Sequence, residues 1–290
     1  MSCPLCDDTG WKPEGDGIGP APGSAPRRVV RCDCWRENIG RQRLSGANIP
    51  KRYQHCTLAN FTAYNESLER AVEASSKFAH AFPVVDHGLF YEGEPGVGKT
   101  HLAVAVLSQV VRTTAARGLF CDVRELLKLI RSTYNAAIRT TELEVLAPVM
   151  NAELLVLDDL GAEKTSEWVE ETMNLIVNTR YNEKRATIFT TNFPDIPDDT
   201  EPNSLLFRIG HRMRSRLHEM CDFRVLDAGD YRQLPDSGGV DDLMTLWAQR
   251  KEAVRKRGGL PVPRGGGRQA RAQLRDGRGD LKWPGGRAGS

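Results

Sequence analysis

Several absences narrow what this chain can be. No apolar run approaches the roughly 20 residues that a helix needs to cross a bilayer. The opening residues, MSCPLCDD, have neither a basic region nor an apolar core, so no secretory leader is expected there. The cysteines number seven, an odd count that argues against a disulfide framework. A cytoplasmic, reducing compartment is the simplest reading. Net charge is also scarce, at +2 over 290 residues, but the figure hides a split. Residues 250–290 hold 12 Lys/Arg and 3 Asp/Glu, whereas the remainder holds 28 and 35. Affinity for nucleic acid is therefore to be sought in local patches, not in overall charge. No internal repeat is visible. With 40% hydrophobic residues, the chain can build one medium domain plus appendages.

What is present centres on residues 93–100, GEPGVGKT, a Gly-rich phosphate loop. A nucleoside triphosphate carries several negative charges that need matching donors. Gly93, Gly96 and Gly98 let the backbone wrap close to phosphates and aim its N–H groups inward. Lys99 supplies a point charge toward the β- and γ-phosphates, and the Thr100 hydroxyl suits Mg²⁺. The stretch Gly88–Tyr91 ahead of the loop reads as a strand. Leu102, Val106, Leu107 and Val110 behind it recur at helical spacing. Downstream, the apolar run Leu154–Leu157 suits a central parallel strand and ends in two carboxylates. Asp158 is placed to hold Mg²⁺, and Asp159 either to orient the attacking water or to cap the next segment. A third strand, Ala186–Thr191, ends in Asn192, which either contacts a γ-phosphate or serves as a turn residue. The pattern predicts an α/β protein that binds ATP with Mg²⁺.

Three parts are expected: residues 1–45, an ATPase domain over 46–235, and an extension over 236–290. The extension begins with a helix from Asp241 to about Lys256 and ends in an Arg/Gly-rich tail expected to be disordered. That tail either adds phosphate contacts or is a solvated appendage. The first part carries Cys3, Cys6, Cys32 and Cys34 around a Gly/Pro-rich stretch. Four thiolates suit a closed, tetrahedral Zn²⁺ site, which would stabilise a segment too short for a core of its own. Trp11 and the strand Arg28–Arg31 are expected to pack around it. A redox dithiol and free cysteines are the rival readings. Cys56, Cys121 and Cys221 read as small core residues.

Residues 208–216, RIGHRMRSR, place Arg208, Arg212 and Arg216 four apart, on one face of an expected helix. Such a stripe is either a solvated face or a source of an Arg that reaches a neighbouring subunit's γ-phosphate. A strand Phe223–Leu226 follows, and after it Arg232 is positioned to approach the nucleotide.

Taken in order, IPKRYQHCTLANF, GEPGVGKTHLA, LLVLDDLG, the strand ending TTN, and GHRMRSRL…DYR resemble the DnaC/IstB-type AAA+ ATPases. These are helicase loaders and ATP-binding helpers of insertion-sequence transposition. The resemblance covers about residues 46–235. It implies a five-stranded parallel sheet in the order 5-1-4-3-2, flanked by helices. It implies a nucleotide loop of Gly93, Glu94, Pro95, Gly96, Val97, Gly98, Lys99, Thr100 and His101. It further implies that Thr100 and Asp158 hold Mg²⁺, that Asp159 serves the attacking water, and that Asn192 is the first sensor. Arg216 would be the arginine finger and Arg232 the second sensor. The cysteine head is similar to the zinc-binding domains of DnaI-like loaders. The expected partners are a DnaB-type replicative helicase, single-stranded DNA and further copies of the chain, with no membrane. Residues 124–148, with Leu126, Leu127, Leu129, Ile130, Arg131 and Arg139, sit where this branch carries a helical element facing DNA. A transposition helper and a nucleotide-gated adaptor with negligible turnover are the alternatives, and the cysteine head favours the loader. Two departures stand out. Residues 233–290 extend past the usual end of the family. The second acidic residue is Asp, whose shorter reach implies slow intrinsic turnover.

Overall fold

The structure, a computed structural model, describes residues 3–14, 28–135, 139–164, 166–235 and 238–256. Most of the Gly/Pro-rich stretch and the tail beyond residue 256, expected to be disordered, lie outside the described residues. Residues 1–251 form one compact unit, and the second comprises residues 252–290.

Among the described residues, the sheet that positions the site has five parallel strands. They are β3 (Gly88–Glu92), β4 (Gly118–Asp122), β5 (Leu154–Asp158), β6 (Ala186–Thr191) and β7 (Cys221–Val225). Their spatial order is β4-β5-β6-β3-β7. Counting these five from 1 in chain order, this is the 5-1-4-3-2 arrangement expected from the sequence. The chain reverses direction across the sheet between β3 and β6, so the segments that follow those two strands face each other at their carboxyl ends.

β5 is buried along its whole length, as its unbroken apolar run requires. Its side chains alternate between two cores. Leu154 and Val156 join α2 (Glu66–Ala81) and α3 (Lys99–Thr114) on one face. Leu155 and Leu157 join α4 (Val123–Ser132), α5 (Glu142–Asn151), α6 (Glu167–Asn182) and α7 (Leu205–Met220) on the other. In α4, Leu126, Leu127 and Ile130 are buried, while Leu129 is exposed and Arg131 lies over the Trp168 ring. Arg180 is fully buried and donates to the carbonyls of Val149, Ala152 and Ala186. It thereby satisfies the end of α5 and the start of β6, where the helix leaves carbonyls without intrahelical donors.

At the N-terminus, β1 (Trp11–Pro13) and β2 (Val29–Arg31) pair antiparallel and lead into α1 (Asp33–Ser45). Arg31 lies between the Trp11 and Trp35 rings, 3.9 and 4.2 Å from their centroids. α1 lies close along α3, where a Cβ on Gly40 would come within 3.2 Å of the Val111 carbonyl. Arg43 donates to the carbonyl of Ala115 at the end of α3. Cys56 and Cys221 are buried in the core, and Cys121 is half-buried. The last helix, α8 (Val240–Lys256), sets Trp247 edge-on to Tyr64 and directs Arg250 to the Ala228 carbonyl. Among the described residues, no helix is long and apolar enough to cross a membrane.

Candidate functional site

The phosphate loop leaves β3 and enters α3 through three glycines in backbone conformations that L side chains rarely adopt. Gly96 has φ 83° and Gly98 φ 102°. Neighbours also exclude a side chain at both positions. A Cβ on Gly96 would fall within 1.6 Å of an Asp230 carboxylate oxygen, and one on Gly98 within 2.6 Å of the Phe61 ring. α2, α4, α5, α6 and α7 all start at a side-chain cap, respectively Asn65, Asp122, Thr141, Ser166 and Ser204. α3 starts at Gly98, which has no side chain to offer. Its first N–H groups and its dipole are thus directed at the loop, the arrangement that binds an anion.

Lys99 is 5% exposed and uses all three of its donors. Its Nζ lies 2.7 Å from the carbonyls of Gly93 and Glu94 and 2.7 Å from Asn192 Oδ1. Burial pulls its pKa down to about 8, while Asp159, Asp158 and Glu94 hold it up and the Arg232 guanidinium pushes it down. Arg232 is therefore close enough to feel the charge of the phosphate-loop lysine. Asn192 completes a bridge, because its Nδ2 donates to Asp159 Oδ1 at 2.6 Å.

Asp158 accepts from the Thr100 hydroxyl at 2.9 Å and from the Thr190 hydroxyl at 2.7 Å. Burial raises it to about 6, against the two hydroxyl hydrogen bonds that favour the ionised form. Thr100 and Asp158 are hard oxygen donors side by side, the donor set that Mg²⁺ takes. Asp159 holds a left-handed backbone, φ 62°, and its amide donates to Thr190 Oγ1 at 3.0 Å. Thr190 thus fixes the Asp158 carboxylate and the Asp159 backbone, a role that sequence reasoning missed; its only signal is its place two residues before Asn192.

His101, expected within the nucleotide loop, has its side chain engaged elsewhere. Its Nε2 donates to the Thr57 carbonyl and to Asn60 Oδ1, both at 3.0 Å, and its ring meets Phe61 edge-on. It ties the segment 57–61 onto the phosphate loop. Tyr231 adds a second tie from the other side, its amide donating to the Gly96 carbonyl at 3.0 Å.

The arginine stripe needs correction. Gly210, at φ 75° and ψ 163°, breaks α7 into Leu205–Ile209 and 211–220. The three arginines therefore do not share one helical face. Arg208 lies over the Phe193 ring and donates to the Pro202 carbonyl. Arg212 and Arg216 sit beyond the break, in an open groove of about 490 Å³ with Tyr181, His211, Ser215 and Glu219.

Cys3, Cys6, Cys32 and Cys34 converge from two stretches of chain, their sulfurs all within 4.8 Å of one another. The Cys3–Cys32 and Cys6–Cys34 sulfurs lie 3.8 and 3.2 Å apart. Four sulfurs around one zinc ion, at a Zn–S distance of about 2.3 Å, would stand about 3.8 Å apart. The thiols also perturb one another. The Cys34 thiol lowers Cys6 to about 7, while Cys6 pushes Cys34 well above the usual thiol range. One cation would relieve that competition by letting all four ionise.

The family model described as "IstB-like ATP binding protein" matches residues 40–199, more than half of the chain. The replicative helicase loader DnaC of Buchnera aphidicola subsp. Baizongia pistaciae is 31% identical over 152 residues, covering 52% of this chain and 61% of that protein. The Escherichia coli K12 DnaC is 27% identical over 149 residues, with shares of 50% and 59%. The matched part thus spans about three fifths of the length of these curated relatives. A crystal structure of the DnaC helicase loader superposes with a TM-score of 0.54 at 35% identity, covering 61% of this chain and 99% of that one.

Proposed function

Because the chain belongs to the family of IstB-like ATP binding proteins, we propose that it is an ATP-dependent loader of a replicative helicase. The reading is carried by one network, in which Asn192 bridges Lys99 to Asp159 while Thr100 meets Asp158. That network is the part of the molecule that a triphosphate and its metal would enter. Similarity to the DnaC loaders supports the choice of helicase loading over transposition.

In this reading Lys99, with the loop amides of residues 93–100, binds the β- and γ-phosphates of ATP. Thr100 and Asp158 hold Mg²⁺, which when bound neutralises charge on the phosphate oxygens. Asp159 orients the attacking water, and Asn192 holds Asp159 and Lys99 in register. Arg232 approaches the nucleotide from the segment tied to Gly96. Arg216, on the open groove, serves the ATP site of a neighbouring copy, so hydrolysis depends on self-association. The four cysteines hold a structural Zn²⁺, and residues 1–45 engage a DnaB-type helicase. Residues 46–235 form the ATPase, which contacts single-stranded DNA, and 236–290 are an extension. Because α1 packs on α3, the boundary at residue 45 divides roles rather than separate bodies. A cytoplasmic site of action accompanies this role.

ATP acts as a switch: binding favours assembly on DNA and helicase, and hydrolysis releases the loader. The test is ATP turnover with and without single-stranded DNA, alongside transfer of the cognate helicase onto a DNA circle. Wild type should show both, and Lys99→Ala neither. Helicase transfer that is independent of ATP and of Lys99 would refute the switch.

A further inference from the structure

The second half of α7 carries two sets of basic residues, offset around its axis. Arg212 and Arg216 are four apart, and so are Arg214 and His218. Residues two positions apart lie about 200° apart around a helix. The first pair faces the open groove, and the second pair turns to a single carboxylate. Arg214 Nε lies 2.5 Å from Asp195 Oδ1 and its Nη2 3.1 Å from Oδ2. His218 Nε2 lies 2.8 Å from Asp195 Oδ2. The Asp195 side chain is only 12% exposed. A forked ion pair with little solvent exposure is directional as well as strong.

Asp195 also touches the nucleotide side. It stands three residues beyond Asn192, and its backbone amide faces the Glu92 carboxylate, immediately before Gly93. Burial raises Glu92 to about 7, and Asp195 adds to that rise through its charge. The same region is joined by ring stacking. His218 stacks on Phe223 at 4.3 Å and 3°, and Phe223 on Phe90 of β3 at 4.2 Å and 14°. Finally, the break at Gly210 frees residues 211–220 from the direction of Leu205–Ile209, whose side chains at 205, 206 and 209 are buried. Rotation of the second segment must then be set by its own contacts.

We propose that Asp195 is a positioning residue that couples the nucleotide sensor Asn192 to the presentation of Arg216. By holding Arg214 and His218 on one side of the segment, its carboxylate sets the direction in which Arg216 points on the other. A shift of the strand end at Asn192 on nucleotide binding is thereby passed to the finger-bearing segment. The inference rests on the reading of the chain as an ATPase completed by Arg216.

The test uses the full chain with single-stranded DNA. It compares wild type with Asp195→Asn, Asp195→Glu, Arg216→Ala and the Asp195→Asn/Arg216→Ala double variant. Binding of a fluorescent ATP analogue is measured beside turnover, with hydrogen exchange of residues 211–220 with and without the analogue. Asp195→Asn should bind the analogue within about twofold of wild type yet lose at least about tenfold in turnover. It should also lose the nucleotide-dependent exchange change in 211–220. Asp195→Glu should recover much of the turnover, and the double variant should be no slower than Arg216→Ala, because the two lesions remove one device. The coupling fails if Arg216→Ala is slow while Asp195→Asn turns over like wild type, or if the two losses multiply. An Arg216→Ala variant as fast as wild type would instead overturn the finger reading and the coupling with it.

Discussion

The phosphate-loop site and the N-terminal cysteine cluster both gather side chains from distant stretches of chain, but by different means. Around the loop, the five-stranded sheet does the gathering. Lys99, Thr100, Asp158, Asp159, Thr190 and Asn192 stand at the ends of buried strands or the start of a buried helix. Their polar atoms satisfy one another before any ligand arrives. The cysteine cluster has a two-stranded ribbon, one helix and an Arg–Trp sandwich beside it. Its sulfurs meet one another in weak thiol hydrogen bonds that set Cys6 and Cys34 against each other for a proton. A site built on a large core is preorganised by packing, whereas one on a small core needs its ligand to complete the fold.

That contrast is most sharply tested by removing the zinc proposed for the cysteine cluster. Structural zinc supplies on the order of 10 kcal/mol of apparent folding free energy in small domains. Chelation or Cys6→Ser should therefore unfold the β1–β2 ribbon and the cysteine turns beside it, read as a change in Trp11 and Trp35 fluorescence, while the sheet core still melts as one transition. A cluster that keeps its fold without metal would erase the distinction. The next largest effect lies at the loop. Lys99→Ala should weaken ATP binding by about 4 kcal/mol, near a thousandfold, because it removes the buried charge that the proposed site brings to the phosphates. Equilibrium titration with a fluorescent analogue measures it, with circular dichroism checking that the sheet survives.

A third prediction concerns the nucleotide-free protein. Asp158 is raised from 3.8 to about 6 in the fold, so its charged form is the disfavoured one. Below the unfolded value both states are protonated. As pH rises from there through about 6, the folded state retains a proton that the unfolded state has lost, and stability falls. A rise of this size corresponds to about 3 kcal/mol. Asp158→Asn carries no such penalty, so its stability relative to wild type should increase by about 2 kcal/mol between pH 4 and pH 7, part of the penalty being already present at pH 4. Denaturant titration at the two pH values checks this, and a pH-independent difference would show that the carboxylate is not held against its charge. The smallest effect is expected for Arg232→Ala. It acts on the loop from an exposed turn, and ATP affinity should fall only about fivefold.

Much of this was legible because local spacing encodes local geometry. The glycines, Lys99 and Thr100 mark a strand–loop–helix unit, and the unbroken apolar run 154–157 marks a strand covered on both faces. The four cysteines showed that two segments could share one ion. Other features were hidden. Gly210 sits in a run whose helical period continues on both sides, so the sequence reads as one helix, yet φ 75° there separates Arg208 from Arg212 and Arg216. His101 lies within the loop motif, but the segment 57–61 claims its ring. Thr190 and Asp195 look like ordinary strand and loop residues until Asp158 and Arg214 are brought to them.

By itself the sequence determined the kind of nucleotide site, the strand–helix alternation and the likeness from which the strand order follows, because these depend on residue type and near-neighbour spacing. Only the tertiary structure decided which side chains share a proton, a carboxylate or a groove. Those pairings join residues tens of positions apart, and what sets their distances is how buried strands and helices pack.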